Sequence, residues 1–136
     1  MESAGRQRIF LYGTLRRGAT RDALAHYAGV EFVASARMHG TLHDFGDYPG
    51  LRLDAAAGWV RGEIFEVDAA ALAGLDEWEG IDPAAPEAGE YRRVRGKAER
   101  DDGAVESCWV YEIVAANCAG RPVIASGDWL ARGPRP

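Results

Sequence analysis

The chain has 136 residues, 47% hydrophobic and 27% charged, with a formal net charge of −5. That length suits a single domain, expected over residues 1–136, with enough chain to bury a full core. The acidic balance argues against a nucleic-acid binder or an acidic-membrane binder, and no apolar run approaches a membrane span.

Residues 8–12 read as a short, fully buried strand. A glycine turn follows at Tyr12-Gly13-Thr14-Leu15. Thr20 is the expected N-cap of a first helix, with Asp22 in its first turn. Ala23, Leu24 and Tyr27 recur at helical spacing, and Gly29 supplies a stop. Residues 30–44 are rich in strand formers, with Gly40 as a candidate bulge. Residues 44–50 read as a loop that Tyr48-Pro49-Gly50 closes. Residues 58–67 alternate apolar and polar positions, which predicts a strand. Asp68 can cap a helix over 69–79, and Gly80 stands past its end. Residues 81–89 are rich in proline and alanine and read as a loop. Residues 90–99 and 104–114 read as strands, joined by the hairpin signal Asp101-Asp102-Gly103. A short element over 122–130 and a frayed Gly-Pro-Arg-Pro end complete the chain. Five or six strands and two helices without a βαβ rhythm indicate a mixed α+β fold, a small closed or half-closed β-barrel with flanking helices.

Two cysteines, Cys108 and Cys118, are too few for a disulfide framework. Cys108 sits in a strand beside Trp109 and reads as a buried thiol. The polar segment over residues 1–8 has no signal-peptide core, so a reducing, cytoplasmic setting is expected. Trp59, Trp109 and Trp129 are expected in the core, or one of them in a pocket.

Among the acidic residues, Glu79 stands out. At about 100° per residue, Leu72, Leu75 and Trp78 mark one helix face, and Glu79 falls between Leu72 and Leu75. Glu77 points nearly opposite and Asp76 to the side. A carboxylate facing the interior is costly unless it is paired or used. Burial and the negative end of the helix dipole both raise its pKa, which suits a proton shuttle near neutral pH. The alternative is a side chain that swings to solvent at a frayed helix end.

Segment 13–20 has the glycine spacing of a phosphate-binding loop, but Ala19 stands where the lysine belongs. Arg16 and Arg17 lie inside the loop and cannot replace it. Backbone N–H groups there could still meet a smaller anion such as a carboxylate, or the turn is simply a strand end. His39 and His43 are four apart on a strand, about 13 Å, too far to share a metal ion. No G-x-S-x-G elbow is present, and Ser126-Gly127-Asp128 lacks a strand-turn-helix context. The basic run Arg92-Arg93-Val94-Arg95-Gly96-Lys97 reads as a solvated face or a partner for nearby carboxylates. One of its arginines could meet a substrate carboxylate, and nothing in the sequence chooses which.

Seven segments in order carry a family resemblance. They are Phe10-Leu11-Tyr12-Gly13-Thr14-Leu15-Arg16-Arg17-Gly18, Tyr48-Pro49-Gly50-Leu51 and Val60-Arg61-Gly62-Glu63-Ile64-Phe65-Glu66-Val67, then Leu75-Asp76-Glu77-Trp78-Glu79-Gly80, Tyr91-Arg92-Arg93, Cys108-Trp109-Val110-Tyr111 and Ile124-Ala125-Ser126-Gly127-Asp128-Trp129. On these the chain resembles the gamma-glutamylcyclotransferase-like superfamily, most nearly its small bacterial members and the gamma-glutamylamine cyclotransferase branch. The resemblance implies a small β-barrel with flanking helices. It implies Glu79 as the catalytic residue and Tyr12, Gly13, Thr14 and Leu15 as the substrate-binding loop. It implies attack of a substrate α-amine on its own γ-amide carbonyl, releasing 5-oxoproline and an amine or amino acid. The partner is then a small γ-glutamyl molecule, with no metal or organic cofactor and no nucleic acid or membrane. Two other expectations stand beside it: a non-catalytic binding module that retains the pocket, and a γ-glutamyl-group remover with a different leaving group. The loop over 81–89 departs from the family pattern in length and borders the expected pocket, so it bears on substrate identity.

Overall fold

A computed structural model describes residues 6–82 and 84–132 of the chain. The expectations for the first five residues and for the Gly-Pro-Arg-Pro end lie outside the described residues. Six strands are present among the described residues: β1 (Gln7–Leu11), β2 (Val30–Asp44), β3 (Pro49–Leu53), β4 (Trp59–Val67), β5 (Tyr91–Arg100) and β6 (Val105–Ile113). Two helices accompany them, α1 (Ala23–His26) and α2 (Ala69–Trp78). The sheet closes on itself. β1 pairs antiparallel with β4, β4 with β2, β2 with β5 and β5 with β6, and β6 returns to β1 in parallel. β3 is the further strand, antiparallel to the last residues of β2 and joined to β6 at Leu51 and Glu112. This is the expected α+β barrel.

Alternation along the strands builds two buried layers. Phe10, Met38, Val60, Ile64, Ala98 and Val110 belong to one. Ile9, Leu11, Phe65 and Val67 point the other way and meet Leu72 and Leu75 of α2. β1 is therefore covered on both faces, which explains its unbroken apolar run. Each fully buried leucine contributes on the order of 1.5–3 kcal/mol. The Asp68 carboxylate accepts from Ala71 N at 2.8 Å and caps α2, a contact worth about 1 kcal/mol.

Four expectations need correction. Residues 49–53 form a strand where the sequence suggested that a loop ended: Pro49 opens it, where its missing N–H costs nothing, and Pro-Gly reads locally as a turn. The β2 irregularity lies between Phe32 and Ala34, not at Gly40. Gly40 is instead a close-approach site, since a Cβ there would stand 2.6 Å from the Arg52 carbonyl oxygen. The N-cap of α1 is Asp22, not Thr20. Its carboxylate accepts from both Leu24 N and Gly18 N, so the helix starts later and makes a single turn. Over residues 122–130 the chain makes an isolated bridge from Val123 to His43 and then a short 3-10 turn, Trp129–Ala131.

Candidate active site

A cavity of about 390 Å³ opens beside the end of β1. Tyr12, Gly13, Thr14, Leu15 and Glu79 all line it, so the two segments that the sequence singled out, more than sixty residues apart, share one site. Tyr91 and Tyr111 form part of its wall, with Tyr48, Asp47 and Glu90 on the side of the β2–β3 loop.

Glu79 is fixed by the way α2 ends. Gly80 N donates to Glu77 O at 3.2 Å and Ile81 N to Asp76 O at 3.1 Å, a Schellman closure. It requires a left-handed residue after the C-cap, and Gly80 supplies it at φ +68°. Glu79 is that C-cap residue, and its own N–H still donates to Leu75 O at 2.9 Å. The helix end is thus tied rather than frayed, and Glu79 faces the cavity. Its neighbour Trp78 departs from the expected pattern: it is 49% exposed and lies on the cavity wall, because the last turn of α2 runs past the barrel edge. Of the other tryptophans, Trp129 is buried and Trp59 sits on the surface, and neither lines the cavity.

Glu79 is partly buried, and its carboxyl accepts no hydrogen bond from the described residues. Its pKa is pushed from 4.5 up to about 8, first by loss of hydration and then by the charges of Glu90 and Asp76. Glu90 is brought close by the loop after α2, whose ends meet where Glu90 N donates to Gly80 O at 3.3 Å. Asp76 is held by Tyr111, whose hydroxyl donates at 2.7 Å, and by Arg93, with Nε 3.4 Å away. The Tyr48 hydroxyl donates to Glu90 on the cavity wall, which raises the Tyr48 pKa to about 12. Burial pushes Tyr12, Tyr91 and Tyr111 above the ordinary tyrosine value too, so all four hydroxyls stay protonated near neutral pH.

The turn is held from behind. The buried carboxylate of Glu63 accepts from Arg17 N at 2.9 Å and from Arg16 Nε at 3.4 Å, and Arg16 also reaches Asp128 at 2.8 Å. Arg16 and Arg17 are thereby spent on structure, and neither lines the cavity. At Gly13 a Cβ would stand 2.6 Å from Pro49 Cγ, so only glycine lets β3 press against the turn. The Tyr12 hydroxyl donates to Tyr111 O at 2.6 Å and accepts from Leu51 N at 3.1 Å, leaving its ring as its contribution to the wall. The Leu15 side chain is in the core, so this residue offers the cavity its backbone. The N–H groups of Gly13, Thr14 and Leu15 have no acceptor among the described residues. Successive free N–H groups in a turn are the kind of donor set that can meet an anion.

Sequence reasoning missed Tyr48, Tyr91, Tyr111, Asp76, Glu90 and Arg21 as cavity or supporting residues. Alternation along β5 and β6 could have marked Tyr91 and Tyr111 as inward, but not as facing Glu79. The basic run is accounted for elsewhere: Arg92 pairs with Glu112 at 3.0 Å and Arg93 with Asp76. His39 stacks on Trp59 with ring centroids 3.7 Å apart, and His43 Nδ1 faces Arg121 O, so both imidazoles have structural neighbours. Cys108 is fully buried, and burial lifts its thiol to about 12, which leaves it unreactive near neutral pH. Among the described residues no helix is long and apolar enough to cross a membrane.

Residues 9–131 match the family model described as "Gamma-glutamyl cyclotransferase, AIG2-like". The gamma-glutamylcyclotransferase family protein YtfP of Escherichia coli K12 is 30% identical over 132 residues, covering 92% of this chain and 97% of its own. A Vibrio cholerae relative also named for gamma-glutamylcyclotransferase is 31% identical over 124 residues, 91% of this chain and 96% of its own. Among solved structures, the AIG2-like protein GGACT of Mus musculus superposes with a TM-score of 0.67 at 28% identity, over 86% of this chain and 84% of that one. The barrel, the cavity beside its first strand and these matches agree: the chain belongs to the AIG2-like gamma-glutamyl cyclotransferase family.

Proposed function

We propose that the protein cyclises γ-glutamyl compounds to 5-oxoproline and releases an amine or amino acid. One observation carries this reading. A carboxyl with its pKa raised to about 8 shares a small cavity with a turn whose backbone donors are free. A group of that pKa can accept a proton and return it near neutral pH.

The substrate's α-ammonium cannot attack until it loses a proton, and Glu79 takes that proton. The free amine then attacks the γ-amide carbonyl of the same molecule, closing a five-membered ring. Proximity is built into the substrate, so the protein has mainly to hold the folded conformer. N–H groups of residues 13–15 bind the α-carboxylate or the oxyanion that forms at the carbonyl. As the C–N bond breaks, Glu79 protonates the leaving nitrogen. The ring nitrogen sheds its second proton, and the amine departs as an ammonium ion. Two protons have then passed from one nitrogen to the other, and Glu79 is restored.

The test is incubation with a panel of γ-glutamyl amines and γ-glutamyl amino acids, with 5-oxoproline as the readout. Glu79→Gln keeps the shape and removes the proton carrier, so product should be lost while the fold persists. Full activity in that variant would sink the role given to Glu79. Tight binding of the panel without turnover would favour the non-catalytic module.

A further inference from the structure

Arg21 is the one cation among the described residues that line the cavity, facing a set of three carboxylates, Asp47, Glu79 and Glu90. It is also unspent. Arg16, Arg37, Arg61 and Arg92 each reach a carboxylate at 3.0 Å or less. The Arg21 guanidinium has no ion pair or hydrogen bond with the described residues, and its Nε is a buried donor without an acceptor. The two terminal nitrogens are not among the buried atoms and have no partner either, so they are the donors that a ligand in the cavity can reach.

Its position is defined. Arg21 N donates to Thr14 O at 2.7 Å, which ties the residue to the glycine turn. The guanidinium lies over the Trp78 ring, 4.0 Å from its centroid, and Trp78 directly precedes Glu79. An arginine held on an aromatic face keeps its N–H edge free, and that edge matches a carboxylate with two parallel hydrogen bonds. With Trp78 half exposed, the pair stands where the cavity meets solvent. In the proposed reaction the glutamyl end of a substrate lies between Glu79 and the free N–H groups of the turn, and where those donors take its α-carboxylate, Arg21 is left for another group. What passes Arg21 is the group beyond the scissile bond.

We infer that Arg21, seated on Trp78 at the cavity mouth, is a specificity residue that binds a carboxylate on the leaving group. The favoured substrates are then γ-glutamyl amino acids rather than γ-glutamyl amines without a carboxylate. This rests on the cyclotransferase reading and narrows it.

A matched pair isolates the effect: γ-glutamyl-alanine and γ-glutamyl-ethylamide differ by one carboxylate. The wild type should favour the alanine compound in kcat/KM by roughly tenfold to a hundredfold, the range of a charge-assisted hydrogen bond. In Arg21→Gln the ratio of the two kcat/KM values should fall to near one. Arg21→Lys should keep part of it, because the charge survives while the flat fork is lost. A wild type that cyclises both compounds without preference overturns the inference and leaves the cyclotransferase reading standing. So does a ratio that Arg21→Gln does not change, which would mean that Arg21 serves the glutamyl carboxylate or the fold. A binding arm separates the two failures. Glutaryl-alanine and glutaryl-ethylamide lack the α-amine and cannot cyclise, and their affinities can be measured by calorimetry. If no γ-glutamyl compound turns over, yet glutaryl-alanine binds better through Arg21, the carboxylate subsite stands and the reaction does not. Equal binding of the two overturns the subsite.

Discussion

Replacing Glu79 with glutamine removes a charge that the fold holds at a cost, and so alters how stability depends on pH. The pKa of Glu79 rises from 4.5 to about 8 on folding. Below pH 4.5 the carboxyl is protonated in both states and costs nothing. Between 4.5 and 8 it is protonated when folded and ionised when unfolded, so unfolding releases a proton. Stability then falls with rising pH by about 1.4 kcal/mol per pH unit, to a ceiling near 5 kcal/mol above pH 8. Glutamine has no such dependence. Urea unfolding at several values from pH 5 to pH 9 gives the test, with the wild type subtracted from Glu79→Gln so that the histidines cancel. The variant should gain on the wild type by a few kcal/mol across that window. A difference that stays constant with pH would refute the reasoning, since it would mean that Glu79 titrates alike in the folded and unfolded chain.

Other outcomes follow from the same geometry. Glu90→Gln removes the second cause of the raised Glu79 pKa, so the acid limb of the pH–kcat/KM profile should move to lower pH; an unmoved limb would separate Glu90 from the proton transfer. Gly13→Ala places a Cβ against Pro49 and should cost about 1–3 kcal/mol in denaturant unfolding, with 5-oxoproline formation falling further as the turn shifts. Arg16→Met leaves the Glu63 carboxylate, 4% exposed, without its buried cation. That should destabilise the chain by about 3–5 kcal/mol, and near-wild-type unfolding would show that Arg17 alone suffices.

The barrel was legible because its signals are local. Strand alternation in β4, the Asp101-Asp102-Gly103 hairpin, the Asp68 cap and the Gly80 stop each depend on a few neighbouring residues. β3 was illegible for the same reason: Pro49-Gly50 signals a turn, and its pairing with β2 and β6 is long-range. The helical wheel placed Glu79 toward the interior but carried Trp78 with it, because a wheel assumes that the surroundings are uniform along the helix. The last turn of α2 runs out over the cavity, so its apolar face meets open space there.

From its residues alone, then, the chain determined a β-rich barrel, closed or half-closed, a glycine turn unable to serve as a phosphate loop, and one carboxylate out of place on a helix. Tertiary structure decided which groups meet. Closure of the sheet brings the end of β1 beside the end of α2, and so brings the free N–H groups of residues 13–15 beside Glu79. It also sets Glu90 and Asp76 near enough to raise the pKa of that carboxyl, and seats Arg21 on Trp78 with its charge unspent. Charge interactions and desolvation depend on distance and enclosure in space. Both arise from contacts between segments far apart in the sequence, which no local pattern records.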